Sequence, residues 1–387
     1  MSSERLARIT SMLTSAIESG ELPGAVVMIA RDGKLVYSRN LGLQDKAAGT
    51  AMREDSIFRI YSMTKPIVSV AAMMLVEQGK LSLADPVAKF IPAFADTKVG
   101  VESQDASGAP ILELVDPDRP MTVQDLLRHT SGLAYGGVGP RTAVKKLYGK
   151  AKIRSQKWHL PEFAEALAKL PLQHQPGTTW EYGRSTDILG RVVEVVASMP
   201  LDQYLEQNIL APLGMNDTAF RVAPAKHDRI AEPMPDKYTG KTPALIDVRN
   251  PVTFFAGGHG LTSTVGDYLR FSQMMLNGGE LDGVRVLGPR TVRFMASNHL
   301  NESISKGTYY IPGPGYGFGL GFATRLEYGQ STWPDSVGGF YWGGYAGTYF
   351  WIDPEERLVV SYMSQEPVRR QYYRNLLRSL VYQAVID

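Results

Sequence analysis

The chain has 387 residues, 44% of them hydrophobic and 21% charged, so it can bury a large core and has neither a fibrous nor a disordered composition. Lysine and arginine number 41 against 39 aspartate and glutamate, and a net charge of +2 offers no electrostatic handle for nucleic acid or an anionic membrane. There is no cysteine, which excludes disulfides, thiolate metal sites, iron–sulfur clusters and a thiol nucleophile together.

From Ser3 to Ile17, Leu6, Ile9, Leu13 and Ile17 fall on one helical stripe among charged residues. With no continuous apolar stretch, this reads as a surface helix and not a signal peptide, and a cytoplasmic location is expected. Gly24–Ala30 and Lys34–Arg39 predict two strands joined at an Asp32-Gly33 turn. A short apolar piece, Phe58–Tyr61, leads into a long helix over Ser62–Gln78 that Gly79 ends. Its apolar run from Pro66 to Val76 is too short to span a bilayer. Between Lys98 and Asp118 a small hairpin or loop excursion is expected. Helices are predicted over Thr122–Arg128 with Thr122 as N-cap, Pro161–Leu170 with proline in the first turn, Ser185–Ser198, and Leu201–Leu210. After Gly214 strand signals return. Tyr309–Phe322 reads as a loop wall before a strand, and Tyr349–Ile352 and Leu358–Met363 read as a hairpin around Asp353-Pro354-Glu355-Glu356. An amphipathic helix over Arg369–Ile386 closes the chain. Strands at both ends with helices between them predict an α/β (α+β) fold. Residues 1–80 and 215–387 form one unit, and residues 81–214 are inserted as a mostly helical domain, with a cleft between the two.

The sharpest chemical signal is Ser62-Met63-Thr64-Lys65 at the head of the long helix. A spacing of three puts serine and lysine on one helix face. A serine hydroxyl needs a neighbouring base, and a lysine serves as one if its surroundings lower its pKa. An S-x-x-K arises by chance roughly once in a few such chains. Here the context raises it, because Lys65 is the only charge from Ile60 to Val76. Trp180-Glu181-Tyr182-Gly183-Arg184-Ser185 offers a tyrosine, which near a lysine can share its proton. Tyr341-Trp342-Gly343-Gly344-Tyr345-Ala346-Gly347 offers paired glycines that allow close backbone approach and an N–H aimed at an oxyanion. The six histidines are scattered with no HxH or HExxH pair, so no metal and no cofactor are expected.

Together these elements resemble the serine β-lactamase and penicillin-binding-protein superfamily, most closely its esterase branch, the family VIII carboxylesterases, which are similar to class C β-lactamases. Three further stretches carry the likeness across most of the chain: Leu126-Leu127-Arg128-His129-Thr130-Ser131-Gly132-Leu133, Pro212-Leu213-Gly214-Met215-Asn216-Asp217-Thr218 and Gly257-Gly258-His259-Gly260-Leu261. The resemblance implies a central antiparallel sheet flanked by helices. It implies Ser62 as acylated nucleophile, Lys65 as proton acceptor and Tyr182 as proton relay. The oxyanion hole would be the backbone N–H groups of Ser62 and Tyr345, and His129 would be structural. Two departures narrow the activity. Trp342 stands where β-lactamases and peptidases carry the lysine of Lys-Thr-Gly, and Arg184 stands at the asparagine of Tyr-x-Asn. Both remove groups that hold a β-lactam or acylamide substrate, and Trp342 substitutes an apolar wall.

The expectation is therefore a carboxylesterase acting on small-molecule esters of short to medium chain through a Ser62 acyl-enzyme. Trp342, Gly343, Gly344, Tyr135 and Arg184 would contact substrate. The aromatic set Tyr135, Tyr309, Tyr310, Tyr316, Phe318, Trp333, Phe340 and Trp342 would supply about half its members to an acyl pocket. Acyl transfer to an alcohol uses the same residues, and β-lactam or D-amino-acid amide hydrolysis is a further alternative. No Gly-x-Ser-x-Gly elbow is present to support an α/β-hydrolase. Monomer and homodimer are equally open.

Overall fold

The computed structural model describes residues 1–151, 153 and 158–386. Its frame is an eight-stranded antiparallel sheet. From edge to edge the strands are Tyr316–Phe318, Ala323–Arg325, Phe340–Gly343, Tyr349–Asp353, Leu358–Met363, Gly24–Arg31, Lys34–Asp45 and Thr50–Ala51. The two ends of the chain meet at its centre, where Gly24–Arg31 pairs with Leu358–Met363 from Val26↔Met363 to Arg31↔Leu358. Both strands are near-continuous apolar runs with almost every residue buried, so helices must cover both faces. Helix Val265–Leu276 packs on the central strands, while the terminal helices Ser3–Glu18 and Arg370–Tyr382 pack on one another.

Helix Thr64–Glu77 is buried on nearly every side, as its unbroken apolar sequence requires. It packs against helix Ser185–Ala197, so the segment between residues 81 and 214 is held to the sheet unit through these two helices. Among the described residues that segment contributes no strand to the main sheet. It holds helices and a small hairpin, Val99–Gln104 with Pro110–Val115, where the sequence suggests an excursion. Thr122 caps the helix Val123–Leu127 in a reciprocal box with Asp125.

The fold departs from the sequence reading in several helical stretches. Val265–Leu276 and Pro289–Ala296 are helices in a region read only for strand signals. Val265, Tyr268, Phe271 and Met274 recur every three residues along one buried face, and the Thr264 side chain accepts the Asp267 N–H, so burial and capping outweigh β-propensity. Leu201–Leu210 is helical for one turn and then widens into a π-turn over Glu206–Leu210.

Candidate active site

Ser62 opens onto a cleft of about 530 Å³ between the helical segment and the end of strand Phe340–Gly343. The helix does not begin at Ser62 as expected. Tyr61–Met63 is a 3₁₀ turn that feeds helix Thr64–Glu77. Tyr61 has a left-handed φ of 44°, a conformation that costs a tyrosine about 1–3 kcal/mol and clusters at functional sites. Its hydroxyl is pinned by the backbone N–H of Ile246 at 2.8 Å, which helps hold the strained turn.

Ser62, Lys65 and Tyr182 converge. The Tyr182 hydroxyl donates to Ser62 Oγ at 2.7 Å, and Lys65 Nζ lies 3.4 Å from the same oxygen. Lys65 Nζ also donates to the Gly258 carbonyl at 2.7 Å and to the Tyr135 hydroxyl at 3.4 Å, and sits 4.7 Å from the centre of the Tyr182 ring. The condition set from sequence, a lysine lowered toward neutrality, is not met. Burial alone pushes Lys65 down, but Tyr135, Tyr182 and the Asp187 carboxylate outweigh it and hold the group above the ordinary lysine value.

Asp187 explains how that buried cation is tolerated. It lies in helix Ser185–Ala197 with no solvent exposure and accepts the Gly258 N–H at 2.9 Å. Arg184 Nη1 reaches it at 3.2 Å and His259 Nδ1 stands 3.7 Å away. Burial raises its carboxyl, but His259, Arg184 and Lys65 together carry it well below the usual carboxylate range. One peptide residue, Gly258, thus links anion to cation: its N–H binds Asp187 and its carbonyl binds Lys65. Sequence reasoning singles out neither Asp187 nor Gly258 for a role. The only signal is the Gly-Gly-His-Gly stretch and an aspartate three residues after Arg184.

The opposite wall is the end of strand Phe340–Gly343. Trp342 lines the cleft yet is 3% exposed, its ring 5.5 Å from that of Tyr182 and edge-on to Phe318 at 5.3 Å, so it braces the tyrosine as well as walling the cleft. A side chain at Gly344 would place its Cβ 2.2 Å from the Ile60 carbonyl oxygen, so only glycine lets this strand end close on the turn that carries Ser62. Among the described residues neither the Ser62 nor the Tyr345 backbone N–H has a hydrogen-bond partner within the protein. The Tyr345 side chain lines the cleft, half exposed, edge-on to Tyr61.

Gly343, Gly344, Tyr135 and Arg184 also line the cleft. Sequence alone leaves Arg184 open between compensation elsewhere, an acidic partner and solvent; in the structure it pairs with Asp187 and stacks 4.8 Å over the Tyr135 ring. His129 is buried against Tyr182 at 5.0 Å, and burial together with Lys65 keeps its ring neutral. Of the eight aromatics proposed for an acyl pocket, Tyr135, Tyr309 and Trp342 line the cleft, joined by Tyr61, Tyr341, Tyr345 and Tyr349. Tyr316, Phe318 and Phe340 are core residues instead, because their strands carry them into the packed interior. Tyr310 and Trp333 pack against that core outside the cleft lining. Among the described residues no three His, Asp or Glu side chains gather to hold a metal ion, and no helix is long and apolar enough to cross a membrane.

A family model described as beta-lactamase matches residues 9–383. The chain belongs to that family. Within it, the likeness runs to the esterase branch. Esterase EstB of Burkholderia gladioli is 31% identical over 90% of this chain and 87% of its own length. The acyltransferase mokF of Monascus pilosus is 29% identical over 79% of this chain and 74% of its own. A solved structure described as EstCE1, a hydrolase with promiscuous acyltransferase activity, superposes with a TM-score of 0.82 at 26% identity, covering 99% of this chain and 98% of that one. As a member of the β-lactamase family with esterase relatives, the protein is a serine hydrolase in the broad sense, with ester hydrolysis or acyl transfer as its chemistry.

Proposed function

We propose that this family member is a carboxylesterase that hydrolyses short- to medium-chain esters through an acyl-enzyme on Ser62. The observation that carries the reading is the 2.7 Å contact between Tyr182 and Ser62 Oγ beside a buried lysine. The reactive form is the Tyr182–Lys65 pair carrying one proton fewer than when both are protonated. The Tyr182 oxygen is the member of that pair nearer Ser62 Oγ, and it is the proton acceptor that Oγ meets. Ser62 gives its proton to that oxygen as Oγ attacks the ester carbonyl. The N–H groups of Ser62 and Tyr345 receive the tetrahedral oxyanion. Collapse expels the alcohol, which leaves with the proton from Tyr182. Water then gives a proton to Tyr182, attacks the acyl carbon, and the second collapse returns Oγ its proton. Tyr135, Tyr309 and Trp342 shape the wall toward the acyl group.

Acyl transfer to an alcohol is a second reading, favoured by the likeness to the acyltransferase mokF and to EstCE1 with its promiscuous acyltransferase activity. It replaces the water of the second step by an alcohol. Trp342 and Arg184 in place of a lysine and an asparagine speak against β-lactam turnover as the main activity. The test is a series of p-nitrophenyl esters from acetyl to decanoyl, with a chromogenic cephalosporin beside it, on wild type and Ser62→Ala. Ester turnover is expected in the wild type alone, and equal turnover by both proteins sinks the Ser62 assignment. Adding a primary alcohol and measuring the ester-to-acid product ratio separates transfer from hydrolysis. A phosphonate probe is expected to add its mass to Ser62.

A further inference from the structure

The last helix, Arg370–Tyr382, sends Arg374 beneath the strand end that carries Tyr345. Arg374 Nη2 donates to the carbonyl of Gly344 and, at 2.9 Å, to that of Thr348. The Gly344 N–H in turn donates to the Thr348 carbonyl at 2.9 Å, so one guanidinium nitrogen ties both ends of the turn. A part-buried guanidinium held against the protein ordinarily pairs with a carboxylate. Among the described residues Arg374 makes no salt bridge; its partners are these carbonyls and the face of the Tyr349 ring at 5.2 Å. Burial, with Arg370 one turn away, pulls it down to about 10, which still leaves it a full cation at neutral pH.

The Gly344 carbonyl and the Tyr345 N–H are two ends of one peptide group. That group is planar and trans, so fixing the direction of its C=O fixes the N–H in the opposite direction. A charged donor on the oxygen also polarises the amide and strengthens its N–H as a donor. The sequence makes room for this: a Cβ at Gly343 would lie 2.7 Å from Arg374 Cζ, so the first glycine of the pair admits the guanidinium, as the second admits Ile60.

We propose that Arg374 is a positioning residue for catalysis, holding and polarising the Gly344–Tyr345 peptide so that its N–H meets the transition-state oxyanion. Arg374 also lines the cleft, but in this role it acts through that amide and not on a reacting atom. The inference rests on the reading of Ser62 and Tyr345 as the oxyanion hole. It adds a cation behind an oxyanion hole whose two donors are neutral amides.

Arg374→Met and Arg374→Lys are compared with wild type on p-nitrophenyl butyrate, with thermal melting to verify the fold. Losing the polarised donor but not the N–H itself is expected to lower kcat about 10- to 100-fold in Arg374→Met, with KM within about threefold. Arg374→Lys is expected to recover most of the loss. The spectroscopic signature is the carbonyl stretch of an acyl-enzyme formed with a slowly deacylating, carbon-13-labelled cinnamoyl ester. It moves to higher wavenumber in Arg374→Met, because a weaker hole polarises the acyl carbonyl less. A folded Arg374→Met with wild-type kcat, or with a lowered kcat and an unmoved carbonyl stretch, overturns the proposal. If that variant does not fold, Gly343→Ala displaces the same guanidinium and is judged by the same two readouts. Tyr345→Pro deletes the N–H and separates the two levels. A dead Tyr345→Pro beside a fully active Arg374→Met removes only the role of Arg374. Full activity in Tyr345→Pro removes the oxyanion-hole reading and this proposal with it.

Discussion

The two walls of the cleft are built from different materials. The helical wall presents side chains: Lys65, Tyr182, Arg184 and Asp187 form a buried network in which every charge has a partner. The sheet wall presents backbone: its contribution is a peptide N–H at Tyr345, brought close by two glycines and braced by Arg374 from behind. Under the proposed mechanism the difference divides proton transfer from charge stabilisation: protons would move on the wall whose groups titrate, and charge would be caught on the wall whose dipoles are fixed and need no reorganisation.

The largest effect should come from the helical wall. Lys65→Met keeps the length of the side chain and deletes the charge beside Ser62. Its kcat is expected to fall about 10⁴-fold on p-nitrophenyl esters, the scale of disabling the Tyr182–Lys65 pair as general base. Melting should stay within a few degrees, since an apolar chain suits an apolar helix. If Lys65→Met kept a tenth of wild-type turnover, proton transfer would not belong to this wall.

The sheet wall is broken by a single methyl. Gly344→Ala drives a Cβ against the Ile60 carbonyl and Thr348 Oγ1, both 2.2 Å away in the present backbone, so the strand end must retreat from Ser62. A drop of about 10²-fold in kcat with little change in KM is expected, the scale of losing one oxyanion donor. A pH–rate profile parallel to that of wild type would confirm that no titrating group was touched. A displaced profile would mean that the two walls are not separable.

The walls also differ in how far the sequence discloses them. Ser62 and Lys65 are legible because their chemistry and their spacing are both local. Tyr182 gains meaning only from its likeness to a family motif, since one tyrosine among 19 carries little signal. The bridge from Asp187 through Gly258 to Lys65 is hidden, because its members are 71 and 193 residues apart and a backbone carbonyl has no identity in a sequence. Arg374 is hidden for the same reason: its partners are carbonyls. The aromatics fail differently. Composition supplies Tyr316, Phe318 and Phe340 but not the face each will occupy, and strand register sends them to the core. The sheet itself is legible at its centre, where both strands are long apolar runs, and obscure at the edge formed by three-residue strands such as Tyr316–Phe318.

A smaller effect tests whether the buried network is tuned or merely satisfied. Asp187→Asn keeps the shape and an acceptor for the Gly258 N–H, but removes the negative charge facing Lys65, Arg184 and His259. About tenfold of kcat is expected to go, equivalent to roughly 1.4 kcal/mol of charge pairing. Arg184 then loses its ion pair with Asp187, so Asp187→Asn combined with Arg184→Gln should cost less than the sum of the two single changes. Additive losses would show that Arg184 acts on substrate independently of Asp187.

The smallest effect on activity falls on the outer support of the helical wall. Asp125 has no solvent exposure and receives Arg119, Arg128, Thr122 and Thr130, holding the corner whose His129 carbonyl accepts the Glu181 N–H beside Tyr182. Burial raises its carboxyl, but the hydrogen bond from Arg119 and those of Thr122 and Thr130 pull it down to about 2. A carboxyl depressed in the folded state stabilises above its unfolded value near 3.8 and loses that contribution as pH falls toward 2. The gap corresponds to roughly 2 kcal/mol at neutral pH. Urea unfolding of Asp125→Asn at pH 7 should therefore show a loss of about that size, and the difference from wild type should shrink by about half at pH 3. Activity of the folded variant should change less than threefold, because nothing in the proton path is touched. A stability difference that stays constant from pH 7 to pH 3 would mean that the charge on Asp125 contributes nothing, and that hydrogen bonds alone hold this wall in place.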